Sequence, residues 1–471
     1  MSDDVEVRQR WSGSDRPIPR VVVRPLQAFL ATSTSSAMVL FGAVVVALVW
    51  ANVGGDSYER MWSTPLNVTF DETTLGSDLR FWVNDGLMTV FFLLAGLEIK
   101  RQLTLGELRQ PRAAALPAIA AIGGMLVPAL VYLAVAGGGE AQRGWGIPMA
   151  TDIALALGAL ALAASHAPAS LKPLLLTLAI VDDVGAIVVI AIFYTDDASG
   201  TSLLVAIAIV GAIVLLQRVH VRATVPYVVL GAALWYFTYR AGVHPTIAGV
   251  VLGLLTPTAP FQTAAASRVE ATRIVAQTSD DPDRQDADAS WWLHISWVTK
   301  ETVSPLERME HLFLPWSSYL IVPMFALANA GVALSWASLG SAVTGGVGLG
   351  IVLGLVVGKP LGVVVAGWLA IRTGAGLRPA EVAWSDLLGM GATAGIGFTV
   401  ALFIAELAFP DQPGLLAEAK VAIVLGSVAA GLLGQVLLSV NQPPAGSRLA
   451  DASNARDEGH GPASVSTPPT A

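Results

Sequence analysis

The stretch LTLAIVDDVGAIVVI, residues 176–190, would pass for a membrane-spanning helix except that two adjacent aspartates, Asp182 and Asp183, lie in its middle. A charged side chain at the centre of a bilayer costs about 2.5 to 3.5 kcal/mol on insertion scales. Each of these aspartates therefore needs a partner, a water-filled cavity or a function, and the rest of the sequence has to supply it.

The chain as a whole has the composition of a membrane protein. Of its 471 residues, 54% are hydrophobic and only 13% are charged, whereas about 25% of the residues in an ordinary soluble protein are charged. Apolar runs long enough to cross a hydrocarbon core of roughly 30 Å recur along most of the length. We predict an all-α polytopic membrane protein with 12 transmembrane helices. The predicted spans are residues 28–50, 82–99, 113–137, 148–164, 171–193, 202–217, 223–239, 243–258, 312–335, 347–371, 384–408 and 418–440.

Lys and Arg are distributed unevenly between the two sides of these spans. Cytoplasmic loops of membrane proteins carry the positive excess, and with both termini inside, the inner segments hold 21 of the 27 basic residues. The first residues lack the apolar core and the cleavage site of a secretory signal peptide. The sequence therefore predicts that both termini are cytoplasmic and that the first helix directs insertion.

The segments outside the bilayer differ in composition from the spans. The two ends of the chain are rich in Pro, Ser, Asp and Arg, which is typical of disorder. The absence of cysteine excludes disulfides and thiolate metal sites, and the net charge of −8 argues against a nucleic-acid partner. The predicted regions are a cytoplasmic arm 1–25, a transmembrane domain 26–440 with an acidic cytoplasmic loop 259–311, and a cytoplasmic tail 441–471.

A small β-hairpin is predicted on the outer side. Residues 67–70 and residues 79–82 flank a turn that contains Asp and Gly, and both stretches carry β-branched or aromatic residues.

Charged residues also lie deep in other predicted spans. The only basic side chain set deep in a span is Lys359, in GLVVGKPLGVVV. Neighbouring positions of a helix are about 100° apart, so Asp182 and Asp183 do not face the same partner. One of them is expected to pair with Lys359 while the other faces water. A fixed salt bridge that joins two helices is the alternative reading of such a pair. The remaining deep residues are Asp152 and, nearer a span end, Asp85.

Two of the spans are predicted to be broken helices. Asp152 lies in GWGIPMATDIALALG, a few residues after Gly146 and Pro148, with Thr151 beside it. The second is LLGMGATAGIGFTVALF, where Gly391, Gly395 and Gly397 disfavour a regular helix. Close helix packing would also explain these glycines. Each broken span is the middle of a triplet, and the triplets have opposite topology, as inverted-topology repeats require.

The ends of two crossing broken helices carry opposite partial charges. Asp152 would balance the positive N-terminal ends and Lys359 the negative C-terminal ends. The carboxylate that remains, Asp183, has oxygen donors nearby, such as Thr151, and hard cations take oxygen ligands. A carboxylate holds a proton or a metal cation but not both. The aspartates are therefore interpreted as a shared binding site for H⁺ and a small cation.

Seven motifs in this order resemble the NhaA-type sodium/proton antiporters. The resemblance covers approximately residues 26–440 and implies a pH-regulated secondary transporter of the bacterial inner membrane that exports Na⁺ or Li⁺ in exchange for H⁺, without a cofactor. The paired aspartates resemble the electrogenic branch of the family. The motifs are FWVNDGLMTVFFLLAGLEIKRQ, IPMATDIALALG, LAIVDDVGAI, GVHPTIAGV, HLFLPWSSYLIVPMFALANAGV, VGKPLG and GIGFTVALFIAELAF.

The resemblance also implies roles for single residues. Asp183 becomes the principal ligand of the transported Na⁺ and of the proton, and Asp182 the partner of Lys359. Asp152 and Thr151 lie where the broken helices cross. The outer hairpin, about residues 62–82, resembles the family's homodimer contact. The positions that match an ion funnel or a pH response are Asp85, Glu98, His244, Glu310 and His311.

Simpler readings exist for some of these positions, and the chain departs from the family pattern at others. His244 also fits a helix-end histidine, and Glu98 fits an ordinary ion pair with Lys100 or Arg101. Gln102 stands where the family's KRE motif commonly has Glu, and Glu406 and the acidic loop are additional.

Two other functions fit parts of the pattern. A sodium-coupled symporter of an organic solute would need a separate set of solute-binding groups, which the sequence does not offer. An intramembrane aspartyl protease using Asp152 and Asp183 would leave Asp182 and Lys359 unexplained, and its Gly-x-Gly-Asp motif is absent.

Overall fold

The computed structural model describes residues 33–70, 73–163, 168–195, 199–221, 224–276, 285–379 and 381–440. The predicted disordered arm and tail lie outside these residues. The described part is mostly helical. In its first half the helices are α1 (Ser33–Val53), α2 (Ser57–Trp62), α3 (Leu79–Thr104), α4 (Pro111–Val135), a 3₁₀ helix (Gly139–Met149), α5 (Ile153–Ala163), α6 (Leu171–Phe193), α7 (Gly200–Arg218), α8 (Thr224–Arg240) and α9 (Thr246–Leu255).

The second half continues in the same way. Two of its long helices contain a π-helical turn, at Ser317–Ile321 and Gly354–Gly358, as α3 does at Trp82–Leu87. The helices are α10 (Ala264–Val275), α11 (Gln285–Glu301), α12 (Pro305–Asn329), α13 (Trp336–Thr344), α14 (Gly346–Arg372), α15 (Trp384–Ala394), α16 (Phe398–Ala408) and α17 (Pro413–Val440).

Eight helices in the described part of the chain are long and apolar enough to cross a membrane, and two further spans are bent pairs. The 3₁₀ helix with α5, and α15 with α16, each bend by 49° at a break of a few residues. Both breaks fall in the spans predicted to be broken. The predicted spans 223–239 and 243–258 correspond to α8 and α9, which have only 17 and 10 residues, fewer than the roughly 20 that a bilayer requires. The described part of the chain thus has eight to ten long apolar spans by length and composition, as an all-α, multi-pass membrane protein does.

The segment between α2 and α3 forms two short antiparallel strands, β1 (Val68–Phe70) and β2 (Thr73–Leu75). Val68 lies opposite Leu75, and Thr69 lies opposite Thr74. The prediction of a second strand at residues 79–82 was wrong, because helix α3 begins there. Asp78 caps this helix, since its side chain accepts a hydrogen bond from the Phe81 backbone N–H at 2.8 Å.

Glycines let the long helices approach closely. A Cβ atom placed on Gly253 of α9 would lie 2.6 Å from the Leu93 carbonyl oxygen of α3, and one placed on Gly362 of α14 would lie 2.7 Å from the Gly123 carbonyl carbon of α4. Real Cβ atoms do not come this close to backbone atoms. Membrane helices associate through such small-residue contacts because lipid supplies no hydrophobic drive.

Replacing Gly253 with valine is expected to separate α3 from α9 and destabilise the protein by about 1 to 3 kcal/mol, as overpacking does elsewhere. The measurement is the thermal transition of the detergent-solubilised protein, followed by fluorescence size-exclusion chromatography. Gly211→Val is the matched control, because a Cβ on Gly211 of α7 meets no atom within 4 Å. Equal transition temperatures for the two variants would contradict this packing account.

The acidic loop contains two helices, α10 and α11, which pack on each other. Backbone hydrogen bonds join the beginning and the end of the loop. The Phe261 and Gln262 N–H groups donate to the Glu301 carbonyl at 3.1 Å, and the Leu306 N–H donates to the Pro257 carbonyl at 3.2 Å. The most acidic part of the loop, residues 277–284, lies outside the described residues. The loop therefore forms a unit that leaves and re-enters the bundle at adjacent points.

Deleting residues 265–300 is expected to leave transport and its pH dependence unchanged, because the residues on either side of the deletion, near Gln262 and Glu301, already lie next to each other. The measurement is the activity of the deletion variant in membrane vesicles across a pH series. A displaced pH profile would show instead that the loop takes part in regulation.

Candidate functional site

The two helix breaks lie against each other in the middle of the bundle. The Asp152 backbone N–H donates to the Ile396 carbonyl at 2.6 Å, and the Thr151 hydroxyl lies 2.8 Å from the Ala394 carbonyl oxygen. A Cβ on Gly397 would lie 2.7 Å from the Ala150 carbonyl oxygen. Glycine is therefore required at this position, because it lets one interrupted backbone touch the other.

The other two predicted glycines contribute in different ways. Gly395 follows the last residue of α15, where the helix stops. Gly391 lies within α15, and a Cβ there would be 2.9 Å from Pro360 Cα. Gly391 therefore serves close packing against α14, the simpler of the two readings of such a residue.

Asp152 caps two helices at once. One carboxylate oxygen accepts from the Leu155 N–H of α5 at 3.0 Å. The other accepts from the Thr399 N–H of α16 at 3.2 Å and from the Thr399 hydroxyl at 2.6 Å. The side chain is buried. The positive ends of α5 and α16 thus meet at one negative charge, which the helix dipoles favour.

Lys359 binds two negative groups, the C-terminal end of the 3₁₀ helix and the carboxylate of Asp182. Its Nζ donates to the Met149 carbonyl at the end of the 3₁₀ helix and to Asp182 Oδ2 at 2.6 Å. Both side chains have 0% exposure. Lys359 directly follows the π turn of α14 and precedes Pro360, an irregular stretch that carries the side chain into the bundle. The structure therefore places a buried cation at the C-terminal end of the 3₁₀ helix, the first half of a broken span, and beside the carboxylate of Asp182 on α6.

Asp182 is only partly satisfied by its surroundings. Oδ2 lies 2.6 Å from the Thr151 hydroxyl as well as from Lys359, but the buried Oδ1 has no hydrogen-bond partner among the described residues. The Thr151 hydroxyl lies within reach of two acceptors, Asp182 and the Ala394 carbonyl. A hydroxyl has one proton, so it serves only one of these acceptors at a time.

Asp183 lies beside this network rather than in it. It follows Asp182 on α6, about 100° further round the helix, and it is half-buried. In the described part of the chain its carboxylate has no hydrogen bond and no ion pair. No group of three or more His, Asp or Glu side chains that would hold a resident metal ion occurs among the described residues. Within the described residues, the site thus offers the unpaired carboxylate of Asp183, the unpaired Oδ1 of Asp182 and backbone carbonyls.

The residues predicted for a funnel or a pH response form two separate contacts. Asp85 lies in the π turn of α3, and its carboxylate is 4.0 Å from His244 Nδ1. At the other end of α3, Arg101 lies 3.6 Å from Glu98 and 2.9 Å from Glu310 of α12. Gln102, at the position where the family commonly has Glu, donates to Glu98 at 2.8 Å. His311 follows Glu310 and is exposed.

Sequence reasoning missed three groups in this region. Thr399 supplies two of the hydrogen bonds that Asp152 accepts, and the signal was a threonine next to the second break, as Thr151 lies within the first. Asn84 and Asn329 form a reciprocal amide pair, with the Asn329 amide donating at 2.7 Å. No pattern in the sequence pointed to that pair, because the two residues lie on distant segments.

Known proteins resemble this chain along most of its length. Residues 27–438 match the protein family described as Na⁺/H⁺ antiporter 1. The chain belongs to this family. The Na(+)/H(+) antiporter NhaA 2 of Sorangium cellulosum is 44% identical over 428 residues, which are 90% of this chain and 91% of the relative. The Na(+)/H(+) antiporter NhaA of Oleidesulfovibrio alaskensis is 44% identical over 432 residues, 90% of this chain and 95% of the relative.

A third relative, the Na(+)/H(+) antiporter NhaA 3 of Frankia alni, is 42% identical over 432 residues, 90% of this chain and 92% of the relative. The range matched by the family, residues 27–438, includes every element of the site. Both broken spans lie inside the matched range.

Proposed function

We propose that this Na⁺/H⁺ antiporter exports Na⁺, and also Li⁺, in exchange for H⁺, with Asp183 as the carboxylate that changes occupant. As a member of the Na⁺/H⁺ antiporter 1 family the chain is a secondary transporter and not an enzyme. The observation that carries the proposal is the pair of neighbouring carboxylates: Asp182 is bound to Lys359, whereas Asp183 makes no hydrogen bond or ion pair with the described residues.

Exchange follows from the competition between the two cations for the same oxygens. Na⁺ needs ionised carboxylate and carbonyl oxygens, whereas a bound proton removes the negative charge that attracts the metal ion. Asp183 and the unpaired Oδ1 of Asp182 provide such oxygens. The Thr151 hydroxyl, with its single proton and two acceptors, changes partner when Asp182 changes its charge. Binding of either cation therefore alters the contact between the two breaks.

Lys359 gives the site a second group that is able to carry a proton. Its ammonium is held by Asp182 and the Met149 carbonyl. When Na⁺ binds the aspartates, the attraction between Asp182 and Lys359 weakens, and the buried ammonium loses the charge that balances its proton. Release of this proton together with that of Asp183 would make transport electrogenic, with more than one H⁺ per Na⁺.

The wider architecture is proposed by the same reasoning. Helices α8 and α9 complete a set of twelve spans, and α4 to α6 and α14 to α17 form inverted repeats that rock about the crossing. We place both termini in the cytoplasm and the protein in the bacterial inner membrane. The contacts of Arg101 with Glu98 and Glu310, and of His244 with Asp85, are proposed to govern the pH response. The outer segment of about residues 62–82 is proposed as a homodimer contact.

The other functions are less well supported. Asp152 accepts hydrogen bonds from Thr399 and Leu155 on both oxygens, so it is engaged as a helix cap and not available as half of a protease dyad. The family and the names of the relatives do not favour a symporter of an organic solute.

The test is the collapse of a proton gradient in everted membrane vesicles on addition of Na⁺, Li⁺ or K⁺ across a pH series. We expect Na⁺ and Li⁺, but not K⁺, to release the gradient without any organic solute. Absence of a response at every pH would contradict antiport, and a response that required an organic solute would support the symporter.

A further inference from the structure

A second ion pair is buried in the bundle away from the aspartates. Lys420 Nζ lies 2.6 Å from Glu406 Oε1, and the two side chains are only 8% and 16% exposed. The contact is an ion pair without hydrogen-bond geometry, because Glu406 Oε1 accepts no hydrogen bond among the described residues. Glu406 is in the last turn of α16, and Lys420 is in α17. Each charge alone would be unfavourable at such a place in a membrane protein. The proposed exchange of Na⁺ and H⁺ at the aspartates does not involve this pair.

Glu406 lies on the same face of α16 as Thr399, which donates hydrogen bonds to Asp152. Thr399 and Glu406 are seven residues apart, which is nearly two helical turns and places them about 20° from each other around the axis. Thr399 donates to Asp152 at 2.6 Å near the start of the helix, and Glu406 binds Lys420 near its end. A single helix of 11 residues is therefore held at both ends by charged contacts.

The signs of these charges suit the helix dipole. The carboxylate of Asp152 lies at the positive N-terminal end of α16, and the Lys420 ammonium lies against the negative C-terminal turn. The Glu406 carboxylate alone would be repelled by that turn. Other ionisable groups within electrostatic reach of Glu406 are Arg80 and Tyr58. Arg80 is already paired with Glu59 at 2.9 Å, so Lys420 is the direct counterion of Glu406.

We propose that Glu406 and Lys420 are positioning residues that fix α16 along its axis and thereby set the contact between Thr399 and Asp152. Neither residue touches the transported ion. The proposal rests on the proposed function, because Asp152 affects transport only if the ion site lies at the crossing. A shift of α16 lengthens the hydrogen bonds to Asp152 and alters the geometry of the adjoining break, which lowers the affinity for Na⁺.

The experiment compares purified variants in proteoliposomes by their KM for Na⁺, their maximal rate and their pH profile. Glu406→Gln is expected to raise KM for Na⁺ about tenfold, because displacements of about 1 Å at a remote site commonly have effects of this size or larger. The charge reversal Glu406→Lys with Lys420→Glu is expected to return KM to within about threefold of wild type, since the pair is restored. Glu406→Gln combined with Thr399→Val is expected to be less than additive, because both changes act through α16.

Glu418→Gln is the matched control. Glu418 lies on α17 only two residues from Lys420, but its carboxylate accepts a hydrogen bond from the Gly348 N–H of α14 at 2.7 Å. We expect this variant to keep the wild-type KM. If Glu406→Gln alone does not fold, the neutral pair Glu406→Gln with Lys420→Met removes both charges and leaves none unpaired. We expect that variant to fold and still to show the raised KM.

Two results would overturn the proposal. One is a folded Glu406→Gln or neutral-pair variant with an unchanged KM and pH profile but a lower melting temperature, which would make the ion pair merely structural. The other is an equal rise of KM in the Glu418→Gln control. Failure of the proposed function is a different result, since the wild-type protein would then show no Na⁺-dependent proton movement at all.

Discussion

Asp183→Asn is expected to lose Na⁺-triggered proton movement at every pH. The amide keeps the size of the side chain but neither binds a proton at physiological pH nor carries the negative charge that attracts Na⁺. Removing a group that only supports a metal ligand costs about 10- to 100-fold in affinity, so loss of the principal ligand should exceed about 100-fold. The measurement is gradient collapse in everted vesicles, with protein levels matched by immunoblot.

Asp56→Asn is the control for this change. Asp56 is exposed on the segment just before α2, far from the crossing in sequence, and it makes no ion pair in the described part of the chain. We expect it to transport as the wild type does. Full exchange activity in Asp183→Asn would contradict the assignment of the site.

Lys359→Met is expected to have two separable effects. The first is on folding, because Asp182 loses its counterion in a fully buried place, and breaking a buried pair costs about 3 to 5 kcal/mol. The second is on transport, because one of the two proposed proton carriers is gone. The charge moved per cycle, measured as a transient current on a solid-supported membrane, is expected to fall to near zero.

The double variant Lys359→Met with Asp182→Asn separates these effects. It removes both charges together, so we expect the thermal stability to return towards that of the wild type. If Lys359 carries a proton, the double variant remains electroneutral or inactive in spite of its stability. An unchanged current in a stable variant would show that Lys359 is a structural partner only.

Much of the site was predictable because intramembrane charges are rare and each requires an explanation. The sequence alone predicted the placement of Asp152 at helix N-termini and of Lys359 at a C-terminal end, since dipole and charge must match. The breaks were predictable from Pro148 and from the glycines between α15 and α16. These inferences rest on local composition and on electrostatic signs, which do not depend on the exact packing.

The features that escaped prediction depend on packing or on competition between local structures. Residues 79–82 have the aromatic character of a strand, but Asp78 supplies a helix cap that favours α3. The pairing of Asn84 with Asn329 and of Arg101 with Glu310 joins residues on helices far apart in the sequence, and that of Glu406 with Lys420 joins two consecutive helices. Such contacts follow from the arrangement of the bundle, which hydrophobic runs alone do not specify.

The most direct test of the account is to count the protons released when Na⁺ binds. Titration calorimetry of the purified protein with NaCl, in two buffers with different heats of ionisation, gives the number released per bound ion. We predict that more than one proton leaves the wild-type protein per Na⁺, because metal binding requires deprotonated ligands and Lys359 is proposed to release a proton as well, and that Asp183→Asn shows neither binding nor release. Na⁺ binding without proton release, or undiminished release in Asp183→Asn, would contradict a shared site for the two ions.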